Sequence, residues 1–347
     1  MSKIMSEIII ERLEGSNFCL GHLLLNRSTA LNALNQSMCE TIVKTLRQWQ
    51  ADPQVKGVII SGQGEKAFCA GGDIVALYHY WQQGKQEKIK EFFKCEYELN
   101  YLLATYEKPV IPLIHGITMG GGIGLSVHCS HRVAFADALF AMPETAIGFF
   151  PDVGSSYLLS RLSTLGMYLA LTGHRFNAHD AVNWGFADYL LHPEQREELL
   201  KQLLALREFN GETLSEVLEL LQQPVSGLAL DLEKVNHFFS PLTLEEIFLS
   251  LHEEKELTQR LQKMSPSSLA ITFKLLKQAK QLSRRQCFTL DYNLSQQFIV
   301  EHDFFEGIRA MLVDKDKQPQ WQPKSLEQLT KERVEQYFLA KEPLFNN

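Results

Sequence analysis

The stretch VIPLIHGITMGGGIGLSVH, Val110–His128, decides the fold. Its first five residues, Val110–Ile114, form a short apolar run of the length and composition of a buried strand. The chain then passes Gly116 and Gly120–Gly122 and enters a helical pattern near Gly121. Upstream the same sequence of events occurs once before. Gly57–Ser61 reads as a strand, and AFCAGGDI (Ala67–Ile74) leads through two glycines into a helix after Asp73. A strand, glycines and a helix, twice in succession, predict α/β layering with parallel or mixed pairing.

Working outward, further strands are expected at Ser6–Leu13, Gly21–Leu25, Arg132–Phe135 and Leu139–Ala141. A helix is expected over Gln36–Gln50, where Met38, Ile42, Leu46 and Trp49 recur at helical spacing. Beyond about His192 the composition turns to Leu, Glu, Lys and Gln. Helical periodicity marks Glu194–Arg207, Leu214–Gln222, Leu244–Leu251, Glu256–Met264, Pro266–Leu282 and Arg284–Val313. QPQWQP (Gln318–Pro323) breaks the pattern before a last helix near Leu326–Ala340. The expected organisation is an α/β core over residues 1–195 and a helical region over 196–347.

With 347 residues, 45% hydrophobic and 22% charged, the chain has the profile of a soluble globular protein. A net charge of -7 argues against a nucleic-acid partner, which calls for a basic surplus. The six cysteines form no C-x-x-C pair, so neither a zinc site nor a disulfide framework is expected; they read as reduced thiols. The N-terminal MSKIMSEIIIERLEG lacks the apolar core of a signal peptide or membrane anchor. Cytoplasmic location, no membrane partner and no metal are the expectations.

The glycines carry a chemical possibility. Helix starts leave backbone N–H groups without intrahelical acceptors, and glycine lets a ligand approach them. Two such turns facing one another would give an oxyanion hole, although the same glycines serve equally as tight turns. Neither segment is a phosphate-binding G-x-x-x-x-G-K-[ST] or G-x-G-x-x-G loop. Downstream, MPETAIGFFPDVG (Met142–Gly154) sets Glu144 and Asp152 among apolar residues, where desolvation raises a carboxyl pKa toward the range useful for proton transfer. Read by spacing alone, Asp152 is a helix N-cap and Glu144 a solvent-facing residue at a strand end.

Together LNRSTALNALN (Leu25–Asn35), KAFCAGGDI (Lys66–Ile74), HGITMGGGIGLSVH (His115–His128) and MPETAIGFFPDVG resemble the crotonase, or enoyl-CoA hydratase/isomerase, superfamily over roughly residues 8–190. The resemblance implies a crotonase-like spiral of repeated ββα units with an α-helical C-terminal region. It also implies an acyl-CoA substrate, and an oxyanion hole formed by the amides of Gly72 and Gly121. Coenzyme A is then part of the substrate, and no separate cofactor is implied. Related proteins form trimers, hexamers or smaller assemblies, so a homo-oligomer is compatible with the resemblance.

Hydratases of this superfamily use two glutamates. Here the Pro-Glu residue is Glu144, but the other position holds Gly124, so hydration is disfavoured. MPETAIGFFPDVG, KMSPSSLAIT (Lys263–Thr272) and HDFFEGIRAMLVDKD (His302–Asp316) are similar to the 3-hydroxyisobutyryl-CoA hydrolase branch. That likeness implies Glu144 as the catalytic carboxylate, Asp152 as its partner and Glu96 as a residue lining the acyl site. It places the reaction in valine catabolism, as hydrolysis of a short-chain 3-hydroxyacyl-CoA thioester. The rival within the superfamily is an enoyl- or dienoyl-CoA isomerase or hydratase. A serine thioesterase would need Ser126, but Gly124–His128 lacks the last glycine of G-x-S-x-G and lies inside a predicted helix. An acyl-CoA-binding or RNA-associated scaffold of the same fold is the non-catalytic rival. Family members often have Lys at the position of Thr29; Lys66, Lys315 and Lys317 are the alternative partners for the CoA phosphates. His115, His128 and His131 are given no role.

Overall fold

The computed structural model describes residues 6–227, 230–339 and 343–345. The strands are β1 (Ile8–Glu14), β2 (Cys19–Leu25), β3 (Val55–Gly62), β4 (Ala67–Cys69) and β5 (Val110–Ile114). They continue with β6 (Ile117–Met119), β7 (Val133–Phe135), β8 (Leu139–Ala141), β9 (Phe176–Asn177) and β10 (Tyr189–Leu191). They form two sheets, one in the order β1-β2-β3-β5-β7-β10 and one in the order β4-β6-β8-β9.

The topology follows from a repeated unit. β3, β5 and β7 enter the larger sheet, and the strands that follow them, β4, β6 and β8, enter the smaller one. A helix comes next after β4, at Ile74–Gln82, and after β6, at Gly121–Val127. After β8 comes the short turn Glu144–Ile147, with helix Ser155–Leu159 beyond it. This is the spiral of ββα units that the family resemblance implies. Val58, Ile59 and Ile60 are all fully buried, as expected for a parallel strand covered on both faces.

The glycine segments hold the main difference from the sequence reading. β4 and β6 are not among the expected strands; each has only three residues, too short to show alternation. β9 and β10 also lie outside the expected strands, for the same reason. Among the described residues no strand follows Leu191, and helices occupy Arg196–Ala205, Gly211–Leu221, Leu244–Ser250, Lys255–Gln262 and Pro266–Ala279. The expected run Arg284–Val313 divides into helices Arg284–Phe298 and His302–Ile308 and a π-turn Arg309–Val313. The last helix is Lys331–Tyr337, and Ala340 lies outside the described residues.

Two compact units interleave along the chain. One comprises residues 1–72, 99–140 and 175–229, the other 73–98, 141–174 and 230–347. The boundary expected at 195 therefore marks where strands stop, not where a compact unit ends. The first unit contains both sheets, and Phe18, Leu20, Ile59, Ile111, Val133, Leu199, Leu203 and Leu218 share its core. The second is helical, with a core rich in aromatic rings: Phe149 lies 5.4 Å from Phe93, 4.6 Å from Phe304 and 5.2 Å from Phe298 between centroids.

In the first unit, LNRSTALNALN is a structural clasp. Leu31 and Asn32 have φ of 51° and 56°. The buried Asn32 amide donates to the carbonyls of Gln63 (3.1 Å) and Ala67 (2.9 Å) and accepts from the Arg27 N–H (3.0 Å). Asparagine tolerates this left-handed backbone and alanine does not, so Asn32→Ala strands three backbone groups and adds strain. The expected loss is about 2–4 kcal/mol, measured by denaturant titration; a loss under about 1 kcal/mol would remove the clasp from the argument.

Candidate active site

In the first unit, β4 and β6 pair in parallel, Ala67 opposite Ile117 and Cys69 opposite Thr118. The two glycine segments therefore leave neighbouring strands in one direction. A Cβ built on Gly71 would stand 3.5 Å from the Gly121 nitrogen, and one on Gly122 only 2.0 Å from the Cys69 carbonyl oxygen. Backbone meets backbone here, and that closeness requires glycine. Gly120, at φ 49° and ψ -120°, turns the chain into the helix beginning at Gly121, whose N–H has no intrahelical acceptor. The Leu34 N–H donates to the Gly71 carbonyl at 2.8 Å and the Ala70 N–H to the Leu31 carbonyl at 3.0 Å, so the clasp fixes the turn that carries Gly72. Asp73 caps the next helix by accepting from the Ala76 N–H at 3.1 Å.

In the second unit four acids are buried together with a tyrosine. Helix Gln86–Ala104 places Ile89, Phe92, Phe93, Glu96 and Tyr97 at helical spacing on a buried face. Glu96 is 2% exposed, Glu144 7% and Asp152 5%, so none stands in solvent. The Tyr97 hydroxyl donates to Asp152 Oδ2 at 2.5 Å. Asp152 is not the helix cap that its spacing suggests: Gly154 occupies that position, with no side-chain cap. Asp291, from helix Arg284–Phe298, accepts from the Gly154 N–H at 2.9 Å and the Ser156 hydroxyl at 2.8 Å. Among the described residues, Glu144 Oε2 and Glu96 Oε1 are buried without a hydrogen-bond partner.

Desolvation governs the electrostatics. Burial, with Asp152 nearby, pushes Glu144 and Glu96 well above the usual carboxylate range. Burial likewise raises Asp291. Asp152 itself is raised to about 7, burial outweighing the hydrogen bond from Tyr97. An acid with a raised folded pKa holds more protons in the native state than in the unfolded chain. Its stabilising effect is complete below the unfolded value of 3.8 and is lost as pH climbs through about 7. Over that interval wild-type stability is expected to fall more steeply than that of Asp152→Asn, in urea titrations across the range. Parallel curves would mean that Asp152 is solvated.

The helical tail braces the Glu144 turn. The Ser265 N–H donates to the Thr145 carbonyl at 3.2 Å, and the Ser265 hydroxyl to Asp303 Oδ2 at 2.6 Å. A Cβ on Gly307 would lie 2.2 Å from the Ile147 carbonyl oxygen, and one on Gly148 2.2 Å from that of Asp303. KMSPSSLAIT and HDFFEGIRAMLVDKD thus buttress the turn that bears Glu144.

A family model described as enoyl-CoA hydratase/isomerase matches residues 20–338. This chain belongs to that family. Family relatives include the mitochondrial 3-hydroxyisobutyryl-CoA hydrolase of Xenopus laevis, 44% identical over 93% of this chain and 87% of its own length. The human protein of that name is 41% identical over 96% and 88%. Among solved family structures, a carnitinyl-CoA dehydratase from Mycobacterium thermoresistibile is 32% identical at a TM-score of 0.87, covering 98% of each chain. An enoyl-CoA hydratase from Rhodobacter sphaeroides 2.4.1 is 32% identical at 0.85, covering 98% of this chain and 99% of its own.

The relatives' mitochondrial designation corrects the expected cytoplasmic location. Scattered reduced cysteines report a reducing environment and not an address. Among the described residues no helix is long and apolar enough to cross a membrane.

Of the residues singled out in the sequence, Glu96, Glu144 and Asp152 share one buried cluster, and Gly72 and Gly121 share one pair of adjoining turns. Ser126 donates its hydroxyl back to the Gly122 carbonyl at 3.0 Å inside its helix, leaving no elbow nucleophile. Lys66, Lys315 and Lys317 are exposed. Tyr97 and Asp291 were missed. Their signal was a polar group on an otherwise apolar helical stripe, as in Cys287, Phe288, Asp291, Leu294 and Phe298.

Proposed function

We propose that this chain hydrolyses 3-hydroxyisobutyryl-CoA, or a close short-chain 3-hydroxyacyl-CoA, to the free hydroxy acid and CoA, as a step of valine catabolism. The observation that carries the reading is the buried Glu144, which has one oxygen without a partner among the described residues and whose turn is held by the tail motifs similar to the hydrolase branch. Relatives named as that hydrolase, at 39–44% identity, support it.

In this reading the Gly72 and Gly121 amides donate to the thioester oxygen as it gains charge. Glu144 acts as base toward water or as the nucleophile at the carbonyl; in either case a raised pKa strengthens it once ionised. Asp152 receives the substrate hydroxyl, with Glu96 beside it lining the acyl site. Single turnover in ¹⁸O-water tests the nucleophilic role, since label in the Glu144 carboxyl requires an anhydride that water opens at the Glu144 carbonyl carbon.

The solved structures named for dehydration and hydration suggest a second reading. Against it, Gly124, fully within helix Gly121–Val127, supplies no second acid. Incubating the purified chain with 3-hydroxyisobutyryl-CoA and a thiol reagent tests the proposal. Release of CoA with little hydration of crotonyl-CoA is expected; hydration without CoA release would reverse the assignment.

A further inference from the structure

The segment Asp152–Gly154 holds one residue, Val153, in a conformation that its side chain disfavours. Val153 has φ 55° and Gly154 φ 74°. A β-branched residue rarely occupies that region, so the surrounding structure must impose it. Helix Arg284–Phe298 does so from one side. Asp291 takes the Gly154 N–H and the Ser156 hydroxyl, and a Cβ on Gly154 would lie 2.2 Å from the Phe288 ring. On another side stands Tyr97, fully buried, its hydroxyl on Asp152 Oδ2 at 2.5 Å. The next residue back along that helix is Glu96, the proposed lining residue.

We propose that Tyr97 is a positioning residue that acts through Asp152, fixing one carboxylate oxygen so that the carboxylate is oriented to receive the substrate's 3-hydroxyl. The inference rests on the role assigned to Asp152 above. Its physical content is that a carboxylate on a strained turn has two ways to rotate, and a buried donor selects one. Asp291 shapes the backbone beneath Asp152; Tyr97 sets the direction of its side chain. The acids around this carboxylate are Glu96, Glu144 and Asp291, each raised by burial with Asp152 adding to it. Against these, Tyr97 is the neutral donor that favours the ionised form of Asp152.

Tyr97→Phe removes the hydroxyl and keeps the ring, so packing against Tyr292 and Phe93 is retained. Three results are expected. The preference of kcat/KM for 3-hydroxyisobutyryl-CoA over isobutyryl-CoA falls by about tenfold, a typical effect of losing one positioned hydrogen bond. The acidic limb of the pH profile moves to higher pH, because a donor to the charged form has gone. In a double-mutant cycle, Tyr97→Phe costs nothing further once Asp152 is Asn.

An unchanged substrate preference and pH limb in folded Tyr97→Phe would overturn the proposal. So would full additivity with Asp152→Asn, which would mean that Tyr97 acts on packing alone. If Tyr97→Phe fails to fold, Asp152→Asn alone still decides: equal losses on both acyl-CoAs would overturn the orientation role. Glu144→Gln separates this from the proposed function. Full hydrolysis by that variant would sink the assigned chemistry, whereas its loss alongside a normal Tyr97→Phe sinks only the inference about Tyr97.

Discussion

Replacing Glu144 with glutamine is expected to lower kcat by about 10²–10⁴-fold, the range for removing a positioned acid–base group. The amide nearly matches the carboxyl in shape, so the turn Glu144–Ile147 and its brace from Ser265 should persist. CoA-ester binding, measured by calorimetry, should therefore change far less than kcat. Stability adds a second, independent readout. Glu144 is a buried acid raised by desolvation, and its ionisation weakens the fold as pH rises. The variant should thus melt at or above the wild-type temperature in mildly alkaline buffer. A variant that is inactive yet more stable separates lost chemistry from lost structure. Near-normal turnover would remove Glu144 from the reaction.

The second large effect is expected at Gly122. An alanine Cβ there would lie 2.0 Å from the Cys69 carbonyl oxygen. That neighbour is strand backbone, so β4 and helix Gly121–Val127 must move apart. Overpacking of this kind costs about 1–3 kcal/mol, read as a lower denaturation midpoint. The same displacement would carry the Gly121 N–H away from the turn bearing Gly72. If those amides form one oxyanion hole, kcat should fall by about 10²–10³-fold, the loss typical of a single donor. KM should move less, because the donor matters most when charge develops. A destabilised variant with unchanged kcat would assign Gly122 to packing alone and detach the amides from catalysis.

These two expectations show which parts of the site were legible in the sequence. The glycine turns were legible because their constraint is local: a strand ends, glycines follow and a helix starts, and only glycine allows backbone to meet backbone. Glu144 and Asp152 were visible as acids among Ala, Ile, Phe and Val, although spacing alone favoured an exposed residue and a cap. The cap reading of Asp152 failed because Gly154, at φ 74°, takes that position, leaving the Asp152 side chain to Tyr97. β4 and β6 were hidden because a strand of three residues has no period to detect.

By itself the sequence determined the local pieces: the apolar strands, the helical tail, the glycines at two helix entrances and the acids inside an apolar run. Each depends on neighbours a few residues away, where hydrophobic period and backbone freedom decide the outcome. Only the tertiary structure decided that Tyr97, Asp152 and Asp291, drawn from three distant segments, share one desolvated cluster. It also decided that the tail's Ser265 and Gly307 hold the turn of Glu144. Long-range packing removes water from those acids, and the energy of an ion depends on the water around it.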